Sequence, residues 1–318
     1  MKNVLVLMSV EDRHRKKIEA AGEGCRFVYS SPDEVTDREI QEANVIMGQV
    51  DATRILASEQ LELLQLESAG TDAYIVPGVL NSKTILTNAT GAYNQAVAEH
   101  AFALTMMLIK KLHLYRDDQR NALWSDRGTV SSLADSTVAV VGLGDIGQHY
   151  ASLVKAMGAY VIGVKRRASD PPECVDELIM TSDLDRVFPR ADVIMSILPN
   201  TAATRYIYKP ESFERMKDSA VFINCGRGNA VASDVLYQAL KEKQIACAGI
   251  DVTEIEPLPA DSPLWDLENL VITPHISGGH HLPATFERIV EICAYNLSAW
   301  LNGRPLKNEV DFTTGYKK

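Results

Sequence analysis

The chain has 318 residues, 46% of them hydrophobic and 23% charged, which is typical of a soluble globular protein with about two domains. A formal net charge of −10 argues against nucleic-acid binding, because nucleic-acid-binding proteins usually present a basic face. No uninterrupted apolar stretch approaches the ~20 residues of a transmembrane helix, so we expect no membrane partner either.

The cysteines and the first residues indicate the cellular compartment. Five cysteines, at positions 25, 174, 225, 247 and 293, form no C-x-x-C pair. This pattern favours reduced, mostly structural thiols and predicts a cytoplasmic protein. The opening segment MKNVLVLM has no small-residue cleavage site after its apolar run, so we predict a first strand there and not a signal peptide.

The first third of the chain alternates short apolar runs with polar helical stretches, which is the pattern of a βα series with a parallel sheet. We predict strands at 3–8, 25–29, 44–48, 63–68 and 84–88. Short helices are predicted near 11–21, 37–43 and 52–59. A single long helix, rich in alanine, leucine and methionine, is predicted from about Asn94 to Asn121.

A second βα series follows a polar loop at 124–136. Its predicted strands are 137–141, 160–164, 192–197, 220–224, 246–250 and 269–273, and its predicted helices are 146–157, 233–243 and 284–301. Two such series predict an α/β fold with two Rossmann-like, doubly wound parallel-sheet domains joined near the long helix. A return of the last helix to the first domain is plausible, but periodicity does not establish it.

A glycine motif opens the second series. Residues 138–158 read VAVVGLGDIGQHYASLVKAMG, which places Gly142, Gly144 and Gly147 in G-x-G-x-x-G spacing between a strand and a helix. Gly142 suits the tight turn, Gly144 a close approach of phosphate to the backbone, and Gly147 close packing of helix and strand. We therefore predict a dinucleotide site, the alternative being a plain βα turn.

The end of the next strand bears on which dinucleotide binds. In NAD-binding versions of this motif, an acidic residue about 20 positions after the glycines binds the ribose 2′-hydroxyl. Here the chain reads Lys165-Arg166-Arg167 instead. Because guanidinium groups bind a phosphate by paired hydrogen bonds, we predict that NADP is preferred, with NAD possible. The alternative is a basic run that is simply solvated.

Three further segments carry polar side chains at the ends of apolar runs: FINCGRGNAV with Arg227, GIDVTEIEPLP with Glu256, and NLVITPHISGG with His275. The carboxyl ends of parallel strands meet at one crevice. A histidine can deliver a proton near neutral pH, a carboxylate can support the imidazolium, and an arginine can grip a substrate carboxylate or carbonyl. Taken singly, each residue also has a purely structural interpretation.

The set GLGDIG, NCGRG, DVTEIEP and TPHISG resembles the D-isomer-specific 2-hydroxyacid dehydrogenases, and VAEHAFALTMMLIK and SAGTDAYIVP are similar to segments of that family. The resemblance implies a substrate domain, of flavodoxin-like fold, formed by residues 1–98 plus 287–318. The dinucleotide-binding domain, residues 99–286, would be inserted into it. The long helix would belong to the hinge and to the interface of a homodimer.

The resemblance also implies the roles of individual residues. His275 would be the acid/base, Glu256 its partner and Arg227 the residue that orients the substrate. The backbone N–H groups around Ala69 and Gly70 would hold the substrate carboxylate, assisted by Ser68. Further cofactor contacts would come from Asp145, Ile146, Leu198, Pro199, Thr204, Cys225, Gly226 and Asp251.

We therefore expect an NADP-preferring oxidoreductase that reduces small 2-oxo acids, with glyoxylate and hydroxypyruvate first among the candidates, to D-2-hydroxy acids. The alternative is a dinucleotide-sensing corepressor of the same fold. Trp124 could reach a partner subunit's active site, as in relatives that reduce glyoxylate, or could pack in the interface. His280-His281 lacks a supporting Cys or Asp cluster, so we predict no metal site.

Overall fold

The computed structural model describes residues 1–56, 58–279, 281–313 and 316–317. The chain forms two compact units, one of Met1–Tyr93 with His280–Lys318 and one of Asn94–Gly279, so the second is inserted into the first. These limits keep the helices that begin at Asn94 and Pro283 whole, whereas limits at 98/99 and 286/287 would divide both.

The first unit is built on a five-stranded sheet. Its strand order is β2-β1-β3-β4-β5, and every neighbouring pair is parallel. The strands are β1 (Asn3–Val6), β2 (Arg26–Tyr29), β3 (Val45–Met47), β4 (Leu63–Gln65) and β5 (Ile85–Thr87). The helices are α1 (Asp12–Ala21), α2 (Asp37–Glu42), α3 (Ala52–Ile55) and the late helix α9 (Pro283–Leu301), which packs on α1.

The second unit is built on a seven-stranded parallel sheet of order β12-β11-β10-β9-β6-β7-β8. The strands are β6 (Thr137–Val141), β7 (Tyr160–Lys165), β8 (Glu177–Met180), β9 (Val193–Ser196), β10 (Val221–Asn224), β11 (Cys247–Ile250) and β12 (Leu270–Ile272). The helices are α4 (Asn94–Ile109), α5 (Leu112–Arg120), α6 (Asp145–Ala156), α7 (Pro210–Glu214) and α8 (Ser233–Lys241).

The strand order of the second sheet reverses between β6 and β9, and ligands of doubly wound folds bind at such a reversal. Both sheets have cores of buried aliphatic and aromatic side chains, as the apolar runs of their strands require. The prediction of two parallel-sheet α/β units, one inserted into the other, is confirmed.

Several elements differ from the prediction. The single helix predicted at 94–121 is wrong, because Lys111 adopts a left-handed backbone (φ 56°) that ends α4 and starts α5. β8 and α7 were not predicted, nor was the short antiparallel pair β13 (Val310–Asp311) and β14 (Tyr316–Lys317). None of the helices in the described part of the chain is long and apolar enough to cross a membrane.

Candidate active site

The three glycines of the loop between β6 and α6 have three different surroundings. Gly142 has φ 106°, and a Cβ there would lie 2.7 Å from the carbonyl oxygen of Ile197. A Cβ on Gly147 would lie 2.1 Å from the carbonyl oxygen of Gly142, so helix and strand pack too closely for a side chain. A Cβ on Gly144 would meet nothing within 4 Å. The loop therefore closes tightly at two glycines and leaves open space at the middle one.

Helix α6 begins at this open position. Gly144 is its N-cap residue, and the carbonyl oxygen of Gly144 accepts the first helical hydrogen bond, from the Gln148 N–H at 2.9 Å. Asp145 and Ile146 form the first turn, with Asp145 exposed and Ile146 half-buried. The N–H groups and partial positive charge of a helix N-terminus favour an anion. Open space in front of such a terminus fits the pyrophosphate of a dinucleotide.

The basic run lies on the strand beside the glycine loop. Val141 at the end of β6 pairs with Val164 of β7, and Lys165 follows directly. Arg166 and Arg167 are exposed, whereas Lys165 is half-buried and its Nζ donates to Ser169 Oγ at 2.9 Å. The position that an acid would occupy for a ribose 2′-hydroxyl thus carries three cationic side chains.

The loops after β9 and β10 are held against each other. Thr204 Oγ1 donates to the carbonyl oxygen of Pro199 at 2.6 Å, which closes the first loop on itself. A Cβ on Gly226 would lie 2.5 Å from the carbonyl oxygen of Leu198, so this contact requires glycine. Cys225 is buried, and burial raises the pKa of its thiol, so the thiol itself is a packing group.

Arg227 continues the loop after β10. Its Nη1 donates to the carbonyl oxygen of Gly226 at 3.0 Å, and its own carbonyl oxygen accepts from Asn224 Nδ2 at 3.1 Å. The next residue, Gly228, lies so close to the loop after β11 that a Cβ would be 1.9 Å from the carbonyl oxygen of Thr253. The loop that carries Arg227 is therefore packed directly on the loop that carries Glu256.

Glu256 and His275 form a hydrogen-bonded pair. His275 Nδ1 lies 2.7 Å from Glu256 Oε2, and Glu256 Oε1 accepts from the Thr253 N–H at 3.0 Å. Both side chains remain reachable, with 46% of His275 and 38% of Glu256 exposed. Since Nδ1 faces the carboxylate, Nε2 lies on the opposite side of the ring, where it can exchange a proton with a bound molecule.

Asp251 holds the loop in which His275 lies. This residue is 1% exposed, and its carboxylate accepts from Thr273 Oγ1 at 2.6 Å and from the N–H groups of Ile276 and Ser277 at 3.0 Å each. The carbonyl oxygen of Asp251 accepts from the His275 N–H at 2.7 Å. His275 has φ 51°, a left-handed backbone conformation that residues other than glycine rarely adopt. These bonds hold the backbone of His275 in this unfavourable conformation and thereby fix the position of its imidazole.

Glu254 anchors the loop that carries Glu256, a role that sequence reasoning missed. It accepts from Tyr206 Oη at 2.6 Å and from the Ser233 N–H, at the N-terminus of α8, at 2.9 Å. Burial raises the pKa of the Glu254 carboxyl, but the bonds from Tyr206 and Ser233 outweigh it, and the net direction is downward. The one sequence signal was a second acid in the DVTEIEP segment.

We expect Glu254→Gln to weaken folding at neutral pH and not in acid. A carboxyl whose pKa is lowered by folding contributes stability above its unfolded pKa, about 4.3, and loses it as pH falls through the folded value. Losing one charge-assisted bond predicts a deficit of about 1 kcal/mol at pH near 7. Urea unfolding at neutral and acid pH measures it. The exposed Glu214→Gln is the control, and a Glu254→Gln deficit of equal size at both pH values would contradict this account.

The residues predicted to hold the substrate carboxylate lie in the first unit, after β4. Ser68 Oγ donates to the carbonyl oxygen of Gly70 at 3.0 Å, and Asn88 Nδ2 donates to that of Ala69 at 2.9 Å. Among the described residues, none offers an acceptor to the backbone N–H groups of Ala69 and Gly70. The loop thus presents two N–H donors on an ordered backbone, which suits a carboxylate.

Two other predictions concern the rest of the surface. His280 lies outside the described residues, and within those described no group of three or more His, Cys, Asp or Glu side chains could hold a metal ion. Trp124, which follows α5, is fully exposed, and Leu112, Leu123 and Val130 are about half exposed. Residues 112–130, which we call the α5 segment, therefore expose several apolar side chains.

Known proteins are similar to this chain in sequence and in fold. Residues 102–277 match the family described as D-isomer specific 2-hydroxyacid dehydrogenase, NAD binding domain. The human protein named glyoxylate reductase/hydroxypyruvate reductase is 31% identical over 302 residues, which cover 93% of this chain and 87% of the human protein.

Two solved structures are similar over the whole chain. The crystal structure of a D-isomer specific 2-hydroxyacid dehydrogenase family protein from Aeromonas salmonicida subsp. salmonicida A449 is 31% identical and covers 98% of this chain and 99% of its own, with a TM-score of 0.86. That of a D-isomer specific 2-hydroxyacid dehydrogenase from Xanthobacter autotrophicus Py2, in complex with NADPH and MES, is 25% identical and covers 99% of each chain, with a TM-score of 0.84. The chain therefore belongs to the family of D-isomer specific 2-hydroxyacid dehydrogenases, which are NAD(P)-dependent oxidoreductases.

Proposed function

We propose that this protein is an NADP-preferring reductase that converts small 2-oxo acids to D-2-hydroxy acids in the cytoplasm. The observation that carries the proposal is the 2.7 Å hydrogen bond between His275 Nδ1 and Glu256 Oε2 at the carboxyl end of the sheet that also bears the glycine loop. The inserted unit would bind the cofactor.

His275 is the proposed acid. When bound, the reduced nicotinamide supplies a hydride to the carbonyl carbon of the substrate. His275, as the imidazolium, gives its Nε2 proton to the carbonyl oxygen, so that one hydride and one proton complete the hydroxy acid. Glu256 keeps the Nδ1 proton in place and stabilises the cationic ring by its negative charge.

Substrate orientation is assigned to Arg227 and the Ser68–Gly70 loop. The guanidinium of Arg227 can make two parallel hydrogen bonds to the carboxylate or to the carbonyl oxygen. The N–H groups of Ala69 and Gly70 are proposed to bind the carboxylate, with Ser68 assisting through the hydrogen bond that orders the loop. Precise placement of the carbonyl lowers the barrier, because the reacting groups no longer have to find each other.

The cofactor site fits NADP. The open space at Gly144 would take the pyrophosphate against the α6 N-terminus, formed by Asp145 and Ile146. Lys165, Arg166 and Arg167 would bind the 2′-phosphate, and the NADPH in the Xanthobacter autotrophicus structure supports the same choice. NAD remains the alternative. The remaining proposed contacts are Leu198, Pro199, Thr204, Cys225, Gly226 and Asp251.

The proposal is tested by assaying about 20 2-oxo acids with NADPH, with glyoxylate and hydroxypyruvate as the first candidates because the human relative is named for them. We expect the absorbance of reduced nicotinamide to fall with at least one small 2-oxo acid, at a kcat in the ordinary range of roughly 1–10³ per second. An absence of turnover with every acid, together with retained partner proteins in a pull-down, would favour the corepressor alternative.

A homodimer is proposed from the apolar surface of the α5 segment. Trp124, Leu123, Leu112 and Val130 are exposed apolar side chains in and just after α5, and large exposed apolar patches mark association surfaces. A second copy of the chain would bury it, with Trp124 either in the interface or at the partner's active site. Sedimentation equilibrium of wild type and Trp124→Ala measures this assembly, and a monomeric wild type would contradict it.

A further inference from the structure

We infer that His100, on α4, is a positioning residue for the loop that carries His275. His100 Nε2 lies 3.0 Å from Thr273 Oγ1 and 3.7 Å from Asp251 Oδ1. Its side chain is 22% exposed, and the Asp251 carboxylate that it approaches is completely buried. The catalytic consequence of this inference rests on the proposed function, but the structural consequence does not.

The direction of the hydrogen bonds follows from the proton count. The Thr273 hydroxyl has one proton, and it donates this proton to Asp251 Oδ1 at 2.6 Å. The short contact between Thr273 and His100 can then be a hydrogen bond only if His100 Nε2 is the donor. The chain of donors runs from the imidazole of His100 through the hydroxyl of Thr273 to the carboxylate of Asp251.

This series of hydrogen bonds supports the buried Asp251 carboxylate, on which the strained loop that carries His275 depends. Asp251 also accepts the N–H groups of Ile276 and Ser277, on the C-terminal side of His275. The left-handed backbone of His275 is unfavourable by itself, so the loop opens more often when the carboxylate that holds it is less well fixed. His100 thereby connects helix α4 to the loop through Thr273 and Asp251.

The first test compares His100→Leu with His100→Gln. Leucine fills similar space without a donor, whereas the amide nitrogen of glutamine can replace the Nε2 donor. We expect the Ile276 and Ser277 amides to exchange with deuterium roughly tenfold faster in His100→Leu, and near the wild-type rate in His100→Gln. Thr105→Val is the matched control, because Thr105 also lies on α4 and its hydroxyl also bonds a different element, Tyr150 Oη of α6 at 2.8 Å, outside the loop that carries His275.

A double variant tests the route through Thr273. If His100 acts by donating to the Thr273 hydroxyl, His100→Leu adds no further acceleration of exchange in a Thr273→Val background. Additive effects of the two substitutions would overturn the route. Unchanged exchange at Ile276 and Ser277 in His100→Leu would overturn the inference itself.

Kinetics give the catalytic consequence. We expect kcat for 2-oxo acid reduction to fall about tenfold in His100→Leu and to recover in His100→Gln. A loss of folded protein would also lower the apparent kcat, so kcat is calculated from the concentration of folded, NADPH-binding enzyme, and rescue by glutamine then marks the role of the donor. If the wild type reduces no 2-oxo acid while exchange still responds to His100→Leu, the proposed function fails and the positioning role stands.

Discussion

His275→Ala is expected to lower kcat for 2-oxo acid reduction by about 10²–10⁴-fold, the usual cost of losing a general acid. The substrate carbonyl then has no positioned proton donor, although the cofactor site is intact. We expect the affinity for NADPH, measured by fluorescence titration, to stay near the wild-type value. If His275→Ala also lost affinity for NADPH, the substitution would have disturbed the fold around the glycine loop.

Two companion variants separate the chemistry of His275 from its backbone. His275→Asn should lose as much activity as His275→Ala, although asparagine tolerates the left-handed conformation (φ 51°) better than alanine. Glu256→Gln should lose less, roughly 10–100-fold, because the imidazole remains and only its charged partner is removed. Near-wild-type turnover in His275→Ala would refute the assignment of the proton donor.

Arg166→Ala combined with Arg167→Ala is expected to lower kcat/KM for NADPH by about 100-fold and to leave that for NADH nearly unchanged. Each charge-assisted hydrogen bond to a phosphate is worth about 1.5 kcal/mol at an exposed site, and two of them correspond to about two factors of ten. Steady-state kinetics with both cofactors and a single 2-oxo acid make the comparison directly.

The control for this pair is Arg186→Ala, which removes an arginine that is 79% exposed and lies in the same unit. It should leave the ratio of the two kcat/KM values unchanged. A wild-type protein with a markedly higher kcat/KM for NADH than for NADPH would contradict the proposed role of the basic run, whatever the variants do.

The fold could be predicted where a short stretch of sequence determines the local structure by itself. The buried strands are apolar runs, and the glycine loop requires Gly142 and Gly147 because backbone atoms a few residues away, or just after the adjacent strand, would collide with a side chain there. The sequence predicts Arg227, Glu256 and His275 as site residues because each follows such a strand, and parallel strands bring their carboxyl ends to one edge.

What the sequence did not predict depends on contacts between distant residues. Asp251 and His100 are, respectively, 22 and 173 positions from Thr273 in the chain, and no periodicity links the three. β8 was missed because its residues, ELIM, are all half-buried and show no apolar alternation. The break between α4 and α5 depends on one left-handed lysine, a conformation that Lys111 has no intrinsic preference for.

We propose that this protein transfers a hydride from NADPH to a 2-oxo acid and forms the D-hydroxy acid. The most direct measurement incubates the wild-type protein with NADPH and hydroxypyruvate, or with the best-reduced member of the panel that gives a chiral product, and determines the configuration of the product by chiral chromatography. We expect one equivalent of D-2-hydroxy acid for each NADPH oxidised. Formation of the L-isomer, or no oxidation of NADPH with any 2-oxo acid, would contradict it.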